Sequence, residues 1–267
     1  MSTKIFELEK PKLKDPLFIE GLPGIGHVGR IAAQFLVDEL KGKKFAELLS
    51  SHLGHYVLLQ QSSSVHVLKN EFYYVKAKGK GQRDLILLVG DSQSIDPEGH
   101  YEKANEILEY LKKFDVKEMI TLGGLGIGEA KDAPKVIGAV SDDGLDKKYK
   151  GYGIVFDAGN KVGTIIGASG LLLGLGKFYG MKGICLLGET VGYPLLPDPK
   201  GAEAILTVLM KILNVKLDLN KLEKKIKEMQ DFIKKIEEMQ RKAVSQMMQQ
   251  QMPAKGNEGK EELSYIG

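Results

Sequence analysis

Apolar residues in this chain gather in four short runs, Leu17–Glu20, Leu85–Asp91, Met119–Gly123 and Ile184–Glu189, each ending in a glycine or an acid. None shows period-two alternation, which is how parallel strands covered on both faces read. Helical spacing separates several of them. A helix is predicted from about Arg30 through Ile31, Ala32, Phe35, Leu36 and Leu40. A second covers Tyr101–Phe114, with Tyr101, Ala104, Ile107, Leu108 and Leu111 three and four residues apart, and a third covers Ala202–Leu213. Such alternation predicts a parallel or mixed sheet flanked by helices. Tyr56–Gln60, Val65–Leu68 and Phe72–Lys76 read as strands of a meander joined by short polar turns. Asp142-Asp-Gly144 reads as a turn leading to another strand at Tyr152–Phe156. The fold class is α/β, a mixed-sheet sandwich over residues 1–213.

The pattern changes after Asn214. Leu219, Leu222, Ile226, Met229, Ile233 and Ile236 follow a heptad spacing, with Phe232 and Met239 widening the stripe. Residues 214–248 are therefore read as an amphipathic heptad helix, either a coiled coil or bundle between copies or a helix closing its own domain. Residues 249–267 are Gln-, Lys-, Glu- and Gly-rich and read as a flexible tail. The tail ends in an apolar string, Leu263-Ser-Tyr-Ile-Gly267, which suits a docking peptide, with chance as the alternative.

Composition narrows the function classes. With 43% hydrophobic and 27% charged residues among 267, the chain reads as a soluble globular protein. The longest apolar candidate for a membrane span, Gly163–Gly176, is short and broken by glycines, and the N-terminus lacks the apolar core of a secretory signal. A cytoplasmic protein without a membrane partner is expected. The net charge of +3 is small, and Arg30, Arg83 and Arg241 are the only arginines, so nucleic acid is not an expected partner. Cys185, the single cysteine, excludes an intrachain disulfide and a multi-cysteine zinc site. Abundant Lys and Glu with no Trp point to a thermophile.

Three stretches are candidates for chemistry. Gly24, Gly26 and Gly29 spell G-x-G-x-x-G between a strand and a helix, the context of a dinucleotide site. The second-strand candidate, however, ends Leu58-Leu-Gln-Gln61 without the carboxylate that holds a ribose, and Gly29-Arg30-Ile31 is not a phosphate loop. The stronger reading is a tight turn with close packing. Glu20, Asp91, Glu129 and Glu189 follow strands or their turns and are candidates to gather at the carboxyl edge of the sheet, for acid–base chemistry or magnesium. No histidine, serine or lysine stands at a recognisable spacing from them, and His52 with His55 is a weak metal signal, so caps and solvated loop acids are the favoured reading. No metal or other cofactor is expected. In Gly163–Gly176, small residues oppose leucines, suiting close helix packing or an anion site at Ser169 and Gly170.

Taken together, three motifs resemble one family. These are Gly21-Leu-Pro-Gly-Ile-Gly-His-Val-Gly29, Thr121-Leu-Gly-Gly-Leu-Gly-Ile-Gly-Glu129, and a block from Gly167-Ala-Ser-Gly170 through Gly183–Pro194 to Asp198-Pro199. In this order they resemble proteasome assembly chaperone 2 and its archaeal homologues, over roughly residues 10–213. The resemblance implies a phosphorylase/hydrolase-like fold with no established enzyme activity. It also implies binding to proteasome α subunits or their rings, during assembly or as ATP-independent activation. In that light Gly21, Pro23, Gly24, Gly26, Gly29, Gly123, Gly124, Gly126, Glu129, Gly170, Gly188 and Glu189 are structural signature residues.

Proteasome activators often end in a hydrophobic–tyrosine–any residue motif. Here Tyr265 stands third from the end rather than second, which displaces the terminal carboxylate by about 3.5 Å. The expected partners are the chain itself, as a homo-oligomer, proteasome α subunits or the 20S ring, and a homologous chaperone subunit. The oligomerisation helix is assigned to Leu222, Ile226, Met229, Phe232, Ile233 and Ile236, and the partner-binding tail to Leu263, Tyr265, Ile266 and Gly267. The competing reading is an enzyme acting on a nucleoside-like molecule or phosphate ester at the carboxyl edge, using Glu129 or Glu189.

Overall fold

The four apolar runs form the centre of one sheet in a computed structural model of the chain, which describes residues 2–60, 62–156, 163–193, 196–222, 224 and 238. They are β2 (Leu17–Gly21), β7 (Leu85–Gly90), β8 (Glu118–Gly126) and β11 (Lys182–Thr190), adjacent and mutually parallel in the order β7-β2-β8-β11. On one side the sheet continues through antiparallel β6 (Asn70–Val75), β3 (Lys43–Ser50) and β1 (Thr3–Glu7). On the other side lie β9 (Val136–Val140), antiparallel to β11, and the short β10 (Ile154–Val155). The result is a nine-stranded mixed sheet.

Successive residues of a central strand enter opposite layers, which is why those strands show no alternation. Leu17 and Ile19 of β2 point to one core with α1 (Val28–Leu40) and α4 (Pro199–Leu213). Phe18, with Leu22 just beyond the strand, points to the other core with α2 (Pro97–Lys112) and α3 (Ala168–Gly176). In that second layer Phe45, Phe72, Tyr110 and Phe114 form an aromatic cluster with ring centroids 5.1 to 6.2 Å apart. Phe45–Phe114, Phe72–Tyr110 and Tyr110–Phe114 meet edge to face, and such contacts stabilise beyond the area that the rings bury.

The helices begin where their chemistry dictates. α2 and α4 share one local code, Asp96-Pro-Glu-Gly99 and Asp198-Pro-Lys-Gly201. In each, the aspartate carboxylate accepts a hydrogen bond from the glycine amide (2.8 and 3.0 Å) and proline fills the first helical position. Asp96 also accepts from the His52 ring (Nδ1 to Oδ2, 2.9 Å), which raises the imidazole pKa and binds the loop after β3 to the start of α2.

Two expectations are corrected. The predicted three-stranded meander does not form. β4 (Val57–Leu59) and β5 (Val65–Val67) make a separate hairpin, while the third segment, as β6, pairs with β3 and β7. The strand that follows α1 is β3, antiparallel and rich in charge, and not the segment ending at Gln61. The hairpin exposes Val57, Leu59, Val65 and Val67.

Asp96→Ala should cost about 1–2 kcal/mol in urea denaturation, because it removes a helix cap and the acceptor for His52 together. An unchanged unfolding midpoint would contradict this account of the α2 start.

Candidate functional site

The signature glycines meet at the carboxyl edge of β2, β8 and β11. Gly21 ends β2, Pro23 and Gly24 lie in the loop that follows, and Gly26 and Gly29 flank the start of α1. Gly123, Gly124 and Gly126 form the last part of β8, Gly188 lies late in β11, and Gly170 stands in the first turn of α3.

Several of them meet their neighbours backbone against backbone. A Cβ on Gly29 would sit 2.4 Å from the Leu122 carbonyl oxygen, and one on Gly21 would sit 2.3 Å from the Gly29 carbonyl oxygen. Gly124 meets the Ile25 carbonyl and Gly188 the Gly201 carbonyl in the same way, at 2.2 and 2.7 Å. Gly26 adopts φ +61°, which disfavours a side chain, and a Cβ there would strike the Thr190 hydroxyl at 2.7 Å. Main chain thus fills the space where side chains at Gly21, Gly29, Gly124 and Gly188 would lie.

Polar side chains hold the loop in place. The Gln93 amide donates to the Pro23 carbonyl (2.5 Å) and its oxygen accepts from the Ala168 amide (2.9 Å), so one residue joins the first glycine loop to the start of α3. The Asp198 amide donates to the Gly26 carbonyl at 2.8 Å, which joins the same loop to the start of α4. Ser169 is buried in α3 and Gly170 packs on the Ile165 carbonyl.

The four carboxylates do not converge on one site, although Glu129 and Glu189 share Lys131. Asp91 accepts from the His66 ring (2.6 Å) and the Lys69 amide (3.1 Å), with Arg30 at 3.9 Å. Glu189 accepts from the Lys135 amide (2.9 Å) and Lys131 (3.1 Å). Burial raises its pKa, but these donors outweigh burial and hold it below the usual value. Glu129 is exposed, 3.7 Å from Lys131. Among the described residues no three His, Cys, Asp or Glu side chains stand close enough to hold a metal ion.

Glu20 lies apart from the open edge. The pleat turns it under α2 and α3, where strand register lines up Glu20, Thr121 and Cys185 as a polar row across β2, β8 and β11. Glu20 Oε1 accepts from the Leu22 amide at 2.9 Å. Burial pushes its carboxyl up to about 8, against the opposing pull of the Leu22 and Leu122 amides and of Lys103 on α2. Burial pushes Lys103 down to about 7, with Glu20 acting against it. Burial also pushes the Cys185 thiol up to about 12. Sequence reading missed Lys103. Its signal was a lysine one residue before Ala104, on the apolar side of α2.

The C-terminal assignments fall mostly outside the described residues. Leu222 is buried in the core beneath α1 and α4, and Lys221 pairs with Glu39 of α1 at 3.2 Å. Ile226, Met229, Phe232, Ile233, Ile236, Leu263, Tyr265, Ile266 and Gly267 lie outside the described residues. No helix among the described residues is long and apolar enough to cross a membrane.

Two predictions follow from this packing. Gly29→Ala should destabilise the chain by about 3 kcal/mol in chemical denaturation, because the new methyl meets main chain. Gly174→Ala, at an exposed position of α3 with nothing within 4 Å, should instead stabilise by about 0.5–1 kcal/mol. Equal effects of the two would refute the packing role.

The buried pair sets the pH dependence. Glu20 titrates at about 8 folded against 4.5 for a free carboxyl, so the folded chain holds the extra proton and stability falls across that window. Lys103 titrates at about 7 folded against 10.5 free, so the unfolded chain holds the extra proton and stability rises from 7 to 10.5. Each slope reaches at most about 1.4 kcal/mol per pH unit. The pair's contribution is therefore lowest between about 7 and 8. Denaturation curves from pH 5 to 10 should show this dip in the wild type and lose it in Glu20→Gln/Lys103→Met. Parallel profiles would overturn the assignment.

Comparison with known proteins agrees with this geometry. Residues 18–237 match the PAC2 family. An uncharacterized protein of Methanocaldococcus jannaschii is 37% identical over 100% of this chain and 97% of its own length. The crystal structure of Pyrococcus furiosus PbaB, an archaeal proteasome activator, is 43% identical, with a TM-score of 0.79 over 88% of this chain and 99% of that one. That of P. furiosus PbaA, an archaeal homolog of proteasome-assembly chaperone, is 30% identical, with a TM-score of 0.72 over 91% and 99%. The chain, matched along most of its length, belongs to the PAC2 family.

Proposed function

We propose that the chain is a non-enzymatic, homo-oligomeric binding protein of the proteasome-assembly-chaperone type, acting on proteasome α subunits or the finished 20S ring. The observation that carries this reading is the 43% identity to an archaeal proteasome activator across 99% of that chain. The site geometry supports it: the glycine loop is occupied by main chain, and Asp91 and Glu189 are each spent on partners of their own.

In this reading residues 1–213 are the body, 214–248 the self-association helix and 249–267 the tethered tail. The start of the helix segment is anchored to the body through Leu222 and Lys221, and the seam from Ile226 through Met229, Phe232, Ile233 and Ile236 joins copies. Exposed Ile166 and Phe178 flank α3 and give the body a further apolar contact surface. Several copies of the Leu263–Gly267 peptide on one oligomer gain affinity through multivalency, either on the proteasome or on a sister homologue.

Size-exclusion chromatography with light scattering tests the proposal, on the protein alone and mixed with archaeal 20S proteasome or its α subunit. The expected result is a homo-oligomer that co-migrates with one of them. Deleting Leu263–Gly267 should weaken co-migration and leave the thermal midpoint unchanged. A protein that ignores both partners sinks the direct-binding reading, and undiminished binding after the deletion sinks the role of the tail.

A further inference from the structure

At the edge of the sheet opposite the glycine loop, two connections carry the same string. Lys10-Pro-Lys-Leu-Lys14 lies between β1 and β2, and Lys76-Ala-Lys-Gly-Lys80 lies between β6 and β7. Asp84, buried just before β7, ties them together. Its carboxylate accepts from the Lys14 amide (2.8 Å), the Ala77 amide (2.9 Å) and Lys76 Nζ (3.0 Å). Lys76 also donates to the Lys12 carbonyl, so one side chain crosses from the second string to the first. Because the strings lie far apart in sequence, no basic block shows until the sheet brings them side by side.

The first string alternates. Lys10, Lys12 and Lys14 are exposed, while Pro11 and Leu13 are half-buried, with Leu13 packed on the core under α2 and α3. A period of two sends the three lysines to one side at intervals of about 6.6 Å. Lys78 and Lys80 are exposed on the neighbouring loop. The acids close by are already engaged: Asp15 by Arg83 (3.0 Å), Glu118 by Arg83 (2.8 Å), and Glu9 by the Tyr74 hydroxyl. No carboxylate among the described residues pairs with the ammonium groups of Lys10, Lys12, Lys14, Lys78 or Lys80.

We propose that these two loops form a docking site for an extended acidic peptide segment of another protein, its alternate Asp and Glu side chains meeting the lysines.

The geometry selects a peptide among polyanions. An extended peptide repeats its side chains at the interval of Lys10, Lys12 and Lys14, so acids at alternate positions stay in step with them. Single-stranded nucleic acid gains much of its affinity by stacking bases on aromatic rings, and residues 8–16 and 76–84 contain none. Arg83, the one guanidinium here that could grip a phosphate with two donors, is spent on Asp15 and Glu118. What remains is a set of like charges on flexible stems, which an acidic strand neutralises without displacing any internal ion pair.

The test uses a fluorescein-labelled peptide of alternating Glu and Ser, titrated with the full chain and followed by anisotropy. Saturable binding is expected, weakening as salt rises, with no binding of the matching Gln–Ser peptide. Lys12→Glu/Lys78→Glu should weaken binding by about tenfold or more. Lys4→Glu/Lys200→Glu, the same change in net charge at exposed positions towards the opposite edge, should leave it within about twofold. Should the first reversal disturb the loops, Lys12→Ala/Lys78→Ala should still weaken binding by about threefold at an unchanged thermal midpoint. No saturable binding, equal loss in the two reversed variants, or tighter binding of a single-stranded oligothymidylate than of the peptide would each overturn the proposal.

Discussion

The contact on which the rest of the molecule depends is the approach of α1 to the sheet with no side chain between them. Gly29 lies on the Leu122 carbonyl and Gly21 lies on Gly29, so helix and strands meet at main-chain distance. Because α1 sits this low, Val28 reaches Gly188 and Gly201, and α4 closes beside it. The same loop then fixes two more helix starts, through Asp198 to Gly26 and through Gln93 between Pro23 and Ala168. A glycine-rich string that elsewhere makes room for a phosphate here brings three helices and three strands to one point.

This arrangement divides the polar groups of the molecule between two regimes. At the carboxyl edge, Asp91 and Glu189 are buried but each is met by donors of its own, while exposed Glu129 makes the kind of surface pair that adds little to stability. Beneath α2 and α3, the polar row of Glu20, Thr121 and Cys185 lies in apolar surroundings, and Lys103 enters the same space from above. There the cost of ionisation outweighs mutual attraction, and the pair is held near neutrality. The burial that stabilises the apolar neighbours is also what shifts these two groups.

Much of this fold was legible in the residues, for a physical reason. The four central strands are covered on both faces and so read as continuous apolar runs. The starts of α2 and α4 were written twice as Asp-Pro-x-Gly, a cap, a rigid first residue and an amide donor, yet periodicity alone placed both helices later. The outer strands were not legible. β1 and β3 are rich in charge and reach the core through residues such as Ile5, Phe45, Ala46 and Leu48, and the run Phe45-Ala-Glu-Leu-Leu49 has a helical rhythm. The site was legible in its glycines, whose spacing demands close approach. Lys103 was hidden because a single lysine in an amphipathic helix looks solvated until the pleat of β2 places Glu20 opposite it.

The single thiol of the chain has one more consequence. Cys185 sits in the middle of β11 between β8 and β9, wholly buried, and burial holds it as the unreactive thiol. Disulfide exchange and oxidation proceed through an accessible thiolate, so neither has a route to this sulfur in the folded protein. The described fold is therefore indifferent to the redox poise of its surroundings. Alkylation of Cys185 would report unfolding, which makes the residue a built-in gauge of how often the sheet opens.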